Sequence, residues 1–327
     1  MLTLGIIGTS PITHQFIDAA HSSKHYQLRA VYSRSLDKAQ DFAKSYVDVD
    51  TYADWQDFLA ADLDIIYIAS PNALHFEQAK AVLEAGKHAI VEKPMVSRPE
   101  EFIQLQDLAQ EKGLFLFEAA RNYHEKAFET IRDFLAGQTI LGGYFGYAKY
   151  SSKMAELLAG QEPNIFSAKF SGGAIMDLGV YTLYAAIRLL GHPKTAYYKA
   201  SQLENTVDLN GTGQLIYDDF VVTIQAGKNI TSNLPSEIYT STGTLTLNSC
   251  QHIQSAIFTG HDGNRIELPI SPVKNNMLEE ALQFSHIIKN KDTATANKWL
   301  EDTQAVHQTI FTMRKDAGIV FDADCDQ

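Results

Sequence analysis

The stretch "LTLGIIGTSPIT", residues 2–13, decides the fold. A short run of Leu and Ile ends in Gly8, a polar turn follows, and Pro11 opens a segment with helical spacing of its apolar residues. Strand, glycine turn and helix in this order form the context in which a dinucleotide fingerprint has physical meaning, because the helix start offers amide groups that bind an anion. Aligned on G-x-G-x-x-G the chain places Gly8, Ser10 and Thr13 at the three glycine positions. Ser10 puts a hydroxymethyl group where glycine lets the backbone approach a pyrophosphate, and Thr13 costs some close packing of helix on strand. A tight strand-to-helix turn without a ligand is the alternative reading of this motif alone.

Working outward, "QLRAVYS", "DIIYIAS", "HAIVE" and "LFLFEA" read as further strands. Helical stretches alternate with them at Ile12 to His21, Asp37 to Lys44, Leu74 to Ala85 and Pro99 to Glu111, with Gly86 and Gly113 at positions where helices stop. Strand and helix in turn imply right-handed crossovers and a doubly wound parallel sheet, whose ligands bind beyond the carboxyl ends of the strands. After Arg121 the texture changes. A helix around Glu125 to Leu135 leads to the alternating "YFGYAKYSS", a loop, and a long helix from Ala174 to Leu190. From about Thr195 to Ile270 short alternating strands and turns imply an open, mainly antiparallel sheet, and two helical stretches close the chain. The expected class is α/β: a Rossmann-like domain over residues 1–120, then an α+β domain over 121–327 with C-terminal helices packing back toward the first.

Composition narrows the function. The chain has 327 residues, 45% of them hydrophobic and 20% charged, as in a globular protein large enough for two cores. A net charge of −12 argues against nucleic acid or an anionic membrane as partner, since both need clustered Lys and Arg. No apolar run is read as long enough to span a bilayer and the N-terminus lacks a signal-peptide pattern, so a cytoplasmic location is expected. Two cysteines without a Cys/His cluster, and histidines without a ligand pattern such as HExxH, imply neither a disulfide framework nor a metal site.

Several residues sit where chemistry is expected. The loop Gly8, Thr9, Ser10, Pro11 and Ile12 is the candidate pyrophosphate turn. At the end of the second strand, "VYSRSLD" offers Ser33 and Arg34 in place of the acid that would accept from a ribose hydroxyl. A donor and a cation suit a 2′-phosphate, which favours NADP over NAD. The alternative leaves Arg34 solvated and gives the ribose of NAD to Asp37 or a backbone amide. "HAIVEKP" ends a strand with Glu92, Lys93 and Pro94, three residues that disfavour a sheet interior. In "SGGAIMDLGVY", Asp177 and Tyr181 are four apart on a helix and share a face. Each alone also has a structural reading, Asp177 as a first-turn acid and Tyr181 as a core aromatic.

Taken together, "GIIGTS", "YSRS", "IASPNALH", "EKP", "EAARNYH" and "SGGAIMDLGVY" resemble the glucose-fructose oxidoreductase, inositol dehydrogenase and rhizopine catabolism (Gfo/Idh/MocA) family over nearly the whole chain. The resemblance implies hydride transfer between nicotinamide and a sugar or related alcohol, and an open C-terminal sheet used for oligomerisation. It matches Lys93 to the active-site lysine, Pro94 to the proline after it, Asp177 to the acid, and Tyr181 to the proton-transferring residue. Many members carry His there; this chain resembles the tyrosine branch, which includes dimeric dihydrodiol dehydrogenases, some aldose dehydrogenases and glucose-fructose oxidoreductase. It also implies that Ser70, Pro71, Asn72 and His75 border the cofactor; Glu92, Lys93 and Arg121 are further candidates for cofactor contact. Arg121 facing the cleft or pairing on the surface both remain open, and Asn72 is read as the cap of the helix that follows it.

The expected protein is therefore an NADP- or NAD-dependent dehydrogenase or reductase of a sugar, polyol or related cyclic alcohol, with Lys93 as the neighbouring ammonium that favours the phenolate of Tyr181 and lowers its pKa. A trans-dihydrodiol or dicarbonyl is the alternative substrate. A dinucleotide-binding regulatory protein without turnover is the alternative of another class, kept open by Ser10 and Thr13. A homodimer or higher oligomer through the C-terminal sheet is expected, because an exposed apolar sheet face needs a cover.

Overall fold

The computed structural model describes residues 1–325. The chain forms two compact units, Met1–Ala119 with Met277–Glu301, and Ala120–Asn276 with the residues from Asp302 onward.

The first unit holds six strands, β1 (Leu2–Ile7), β2 (Tyr26–Tyr32), β3 (Asp50–Tyr52), β4 (Ile65–Ile68), β5 (His88–Glu92) and β6 (Leu116–Ala119). They lie in the order β3-β2-β1-β4-β5-β6, every pair parallel. Between them run α1 (Pro11–Ser23), α2 (Leu36–Ala43), α3 (Trp55–Ala60), α4 (His75–Glu84) and α5 (Pro99–Lys112). A sheet covered on both faces needs apolar residues at consecutive positions, and β4 is buried throughout. Leu4 and Ile6 of β1 join one core with Phe16, Ile17 and Phe284, while Ile7 joins the other with Val82, Leu83 and Phe102. Each such side chain contributes roughly 1.5–3 kcal/mol on burial.

In the second unit α6 (Ala127–Leu135), β7 (Ile140–Ala148), α7 (Met154–Leu158) and α8 (Val180–Leu190) precede the strands β8 (Thr195–Gln202), β9 (Asp208–Ile216), β10 (Val221–Gly227), β11 (Ser236–Thr240), β12 (Gly243–Leu247), β13 (Ala256–Gly260) and β14 (Arg265–Glu267). The eight strands order as β14-β13-β12-β11-β7-β10-β9-β8, with only β7 and β10 parallel among the described pairs. Alternation puts Phe145, Leu215, Val222, Ile224, Ile238 and Leu245 on the inner face, all fully buried. On the other face Tyr197 is 52%, Val221 43% and Tyr239 38% exposed, so among the described residues no element covers them. The chain then forms α9 (Leu278–Asn290), which packs on α1, and α10 (Thr293–Ala317), which begins in the first unit and continues in the second.

Four sequence expectations change. The strand β3 and helix α3 were not anticipated; β3 is too short for an alternation to register, although Asp54 caps α3 by accepting from Asp57 N at 2.9 Å. Asn72 does not cap α4. The chain already winds into a 3-10 turn over Asn72–Leu74, and Asn72 O accepts from His75 N. The expected helix from Ala174 begins with a π-helical turn, Ile175–Gly179, before α8. Finally, Ala168–Leu190 does reach the length and hydropathy of a membrane span, but 78% of that window is buried inside the protein, as in a core helix.

Candidate active site

In the first unit the candidate residues gather at the carboxyl ends of β1, β2, β4 and β5. Gly8 leaves β1 with φ at +102°, and a β-carbon there would lie 2.5 Å from Ala69 O. Both the backbone conformation and this contact require glycine. Thr9 and Ser10 complete the turn, Pro11 fills the first helical position of α1, where a missing N–H is harmless, and Ile12 follows. Ser10 makes no side-chain cap hydrogen bond; its Oγ lies 3.4 Å from Thr13 Oγ1, and Thr13 is fully buried. Ser33 donates its N–H to Tyr52 O at 3.1 Å and accepts from Ser35 N at 3.4 Å, while Arg34 next to it is exposed. This donor set fits a dinucleotide: the start of a 13-residue helix for the pyrophosphate and a guanidinium at the end of β2 for a further phosphate.

The end of β4 is tied to the end of β5 through His75. Its Nε2 lies 2.8 Å from Ser70 O and its Nδ1 2.9 Å from Pro94 O. Burial holds the imidazole below the usual histidine range, against the opposing pull of the two carbonyls and of Glu118. A neutral ring donates from one nitrogen only, so one of the two carbonyls receives the proton at a time. Ser70 Oγ donates to Gln78 Oε1 at 2.7 Å, with Pro71 and Asn72 continuing the loop. Glu92 is buried and accepts from Tyr67 OH at 2.5 Å. Lys93 follows it, half-buried, and the Lys93–Pro94 peptide is cis. The strand thus ends in a carboxylate held by Tyr67 and a carbonyl held by His75, with Lys93 between them.

Asp177, Tyr181 and Arg121 belong to the second unit. The glycines of "SGGAIMDLGVY" have a packing reason: Gly173, at φ +117°, leaves room for the carboxylate of Asp208, whose Oδ1 a β-carbon would overlap. Asp208 is fully buried, accepts from Ile175 N and from Tyr198 OH, each at 2.8 Å, and so anchors the start of the helix. Burial pushes its carboxyl above the usual range despite these hydrogen bonds. Gly179 lets the helix approach Ala226 of β10, where a β-carbon would meet the Ala226 methyl at 3.3 Å. On this helix Asp177 Oδ2 accepts from Lys228 Nζ at 2.5 Å. One turn on, the Tyr181 ring has the Arg121 guanidinium carbon 5.1 Å from its centroid and the Tyr147 ring edge-on at 5.7 Å. Asn122 Nδ2 donates to Tyr181 O and to Cys250 O, both at 3.0 Å, and Arg121 Nη2 donates to Gln251 Oε1 at 2.9 Å.

The structure therefore brings Asp177, Tyr181 and Arg121 together and sets Arg121 against the phenol ring. Lys228, Asp208, Asn122 and Tyr147 were not singled out in the sequence. Lys228 had a usable signal, since "TIQAGKN" ends an apolar strand in a lysine just as "HAIVEKP" does. Asp208 had none beyond opening a strand. Among the described residues no group of His, Cys, Asp and Glu has the arrangement of a metal site.

Comparison with known proteins agrees with this layout. Residues 2–120 match the Gfo/Idh/MocA oxidoreductase family, NAD-binding Rossmann fold, and residues 144–246 match the Gfo/Idh/MocA C-terminal domain. The chain is 35% identical over 326 residues to the uncharacterised oxidoreductase YgjR of Escherichia coli (strain K12), with 99% of each chain covered. It is 33% identical, with the same coverage, to the scyllo-inositol 2-dehydrogenase (NADP(+)) IolU of Bacillus subtilis (strain 168). A 3-ketoreductase from Actinomadura kijaniata, solved with NADP and TDP-benzene, has the same fold at a TM-score of 0.83 and 21% identity, over 98% of this chain and 99% of that one. With a glycine turn, a lysine-tipped strand and a helix carrying Asp177 and Tyr181 in one order, and a third of its residues shared end to end with such oxidoreductases, the chain belongs to the Gfo/Idh/MocA family of NAD(P)-dependent oxidoreductases.

Proposed function

We propose that this oxidoreductase prefers NADP(H) and interconverts an alcohol and a carbonyl on a sugar, a polyol or a related cyclic substrate, with Lys93, Tyr181 and Asp177 as its reacting and orienting groups. The observation that carries the reading is the Tyr181 phenol, one helical turn after a carboxylate and faced by a guanidinium. IolU, whose name gives it scyllo-inositol and NADP(+), supports a polyol and this cofactor. The nicotinamide, when bound, supplies the acceptor of hydride in oxidation and its donor in reduction.

On the protein side, oxidation of H–C–O–H to C=O requires that the hydroxyl proton leave oxygen as the hydride leaves carbon. The phenolate oxygen of Tyr181 receives that proton, and in reduction the phenol returns it to the developing alkoxide. A phenol with an ordinary pKa of about 10 is a poor base near neutrality, and a cation beside it favours the phenolate. Arg121 is such a cation. Lys93 donates to the substrate oxygen and stabilises negative charge there. Asp177 accepts a hydrogen bond from a second hydroxyl, which favours polyhydroxylated substrates. Ser33 and Arg34 hold the 2′-phosphate that distinguishes NADP from NAD. The exposed sheet face pairs with a second copy of the chain.

The test is turnover by the purified protein with NADP(+) and with NAD(+), over inositols, aldoses, linear polyols and a trans-dihydrodiol. Oxidation of inositols or aldoses with NADP(+) is the expected result. Turnover of the trans-dihydrodiol alone, or of none of these substrates, contradicts the substrate class.

A further inference from the structure

Lys228 is a lysine almost without solvent. It directly follows β10, and its side chain is 4% exposed where that of its partner Asp177 is 26% exposed. The ammonium donates to Asp177 Oδ2 at 2.5 Å and lies 5.9 Å from the centroid of the Phe166 ring. Its backbone is fixed on both sides, with Lys228 N donating to Leu209 O at 2.7 Å and Ser151 N donating to Lys228 O at 2.8 Å.

The pair is an expensive way to hold a helix. Taking an ammonium out of water costs several kcal/mol, and apolar side chains of the same volume commonly stabilise a fold as well or better. The helix also has another anchor at the same end of the β9/β10 ladder, since Asp208 holds its start through Ile175 N at 2.8 Å. The exposures are unequal in a telling way. The cation is the buried partner, with the Phe166 ring near it, and the carboxylate keeps about a quarter of its surface open. Such an arrangement suits a carboxylate that must stay charged and keep one orientation while it meets something from solvent.

We propose that Lys228 is a positioning residue that acts through Asp177. It holds the carboxylate ionised and fixed, so that Asp177 accepts a hydrogen bond from a substrate hydroxyl and is not the proton donor. This rests on the function proposed above and adds to it that the proton path runs through Tyr181 and bypasses Asp177.

The test is a double-mutant cycle of Lys228→Met and Asp177→Asn, read in kcat/KM and, separately, in melting temperature. If Lys228 works through Asp177, Lys228→Met lowers kcat/KM on the order of 10²-fold in the parent. In the Asp177→Asn background it lowers it by less than about two-fold more. Lys228→Arg, which keeps the charge, recovers part of the loss. Circular dichroism in the far ultraviolet, with a cooperative melting transition, reports whether each variant is folded. The double variant removes both charges, so it tests the proposal even where Lys228→Met alone fails to fold. Additive losses in kcat/KM overturn the proposal, and coupling seen only in melting temperature overturns it too by showing a pair that serves the fold alone. A parent protein with no turnover on any alcohol defeats the functional reading itself, and the role of Lys228 with it.

Discussion

The guanidinium carbon of Arg121 lies 5.1 Å from the centroid of the Tyr181 ring, and the same group is steadied by Gln251 Oε1 at 2.9 Å. A cation over an aromatic face is attracted by the ring, and it favours the ionised phenol over the neutral one. Tyr147 meets the same ring edge-on at 5.7 Å. Arg121→Leu is therefore expected to lower kcat/KM for alcohol oxidation about 10-fold while leaving NADPH binding unchanged. Unchanged kcat/KM contradicts the pairing as a functional one.

The proposed preference for NADP(H) rests on Arg34, exposed at the end of β2 beside Ser33. A charge-assisted contact to a phosphate is worth about 1.5–3 kcal/mol, so Arg34→Ala is expected to weaken NADPH binding about 10- to 100-fold and leave NADH binding nearly unchanged. Fluorescence titration of both variants with both dinucleotides checks this. Equal losses for NADPH and NADH would place Arg34 outside phosphate recognition.

The buried His75 gives stability a pH dependence whose sign is fixed. Burial lowers its pKa in the folded state relative to the unfolded value of 6.5, so below that value the unfolded chain takes up the proton first. The contribution is complete above about pH 6.5 and is lost as pH falls through that value toward the folded pKa, at up to 1.4 kcal/mol per pH unit, roughly. Urea unfolding between about pH 7.5 and about pH 5.5 should show this decline in the parent and a smaller one in His75→Gln. Identical declines would mean that other groups carry the effect.

The open face of the eight-stranded sheet leads to a prediction about assembly. Tyr197, Val221 and Tyr239 stand exposed on strands whose register puts them on the same side. A second copy covering this face would bury on the order of 1,200–2,000 Å² in total, the area of a stable interface. Light scattering is expected to show a homodimer or larger oligomer, and Val221→Lys with Tyr239→Lys to release monomers. A monomeric parent would contradict the proposed interface.

Much of this was readable from residue order, and the reasons differ by element. β4 and the Ala89–Val91 part of β5 are apolar at consecutive positions because both faces of their sheet are covered, and that pattern is visible in the sequence. The strands of the second sheet alternate because one face is buried and the other is open. By contrast β3 has three residues, too few for any period. Motif and spacing singled out Lys93, Asp177 and Tyr181 as candidates, but the contacts that hold Asp177 and Tyr181 were not visible there. The contact of Lys228 with Asp177 joins residues 51 apart, and that of Asp208 with Ile175 joins residues 33 apart. Arg121 was noticed, yet its place on the Tyr181 ring depends on how a 3-10 turn meets a helix far along the chain. Pairings of this kind follow from tertiary packing, which local pattern does not encode.

The central claim is that Tyr181 carries the proton in hydride transfer. Single-turnover reduction of NADP(+) by the best alcohol substrate, compared between the parent and Tyr181→Phe, tests it most directly. Tyr181→Phe is expected to bind NADPH as the parent does and to transfer hydride slower by about 10²- to 10⁴-fold, the usual contribution of a positioned acid–base group. A variant that transfers hydride at the parent rate would contradict it.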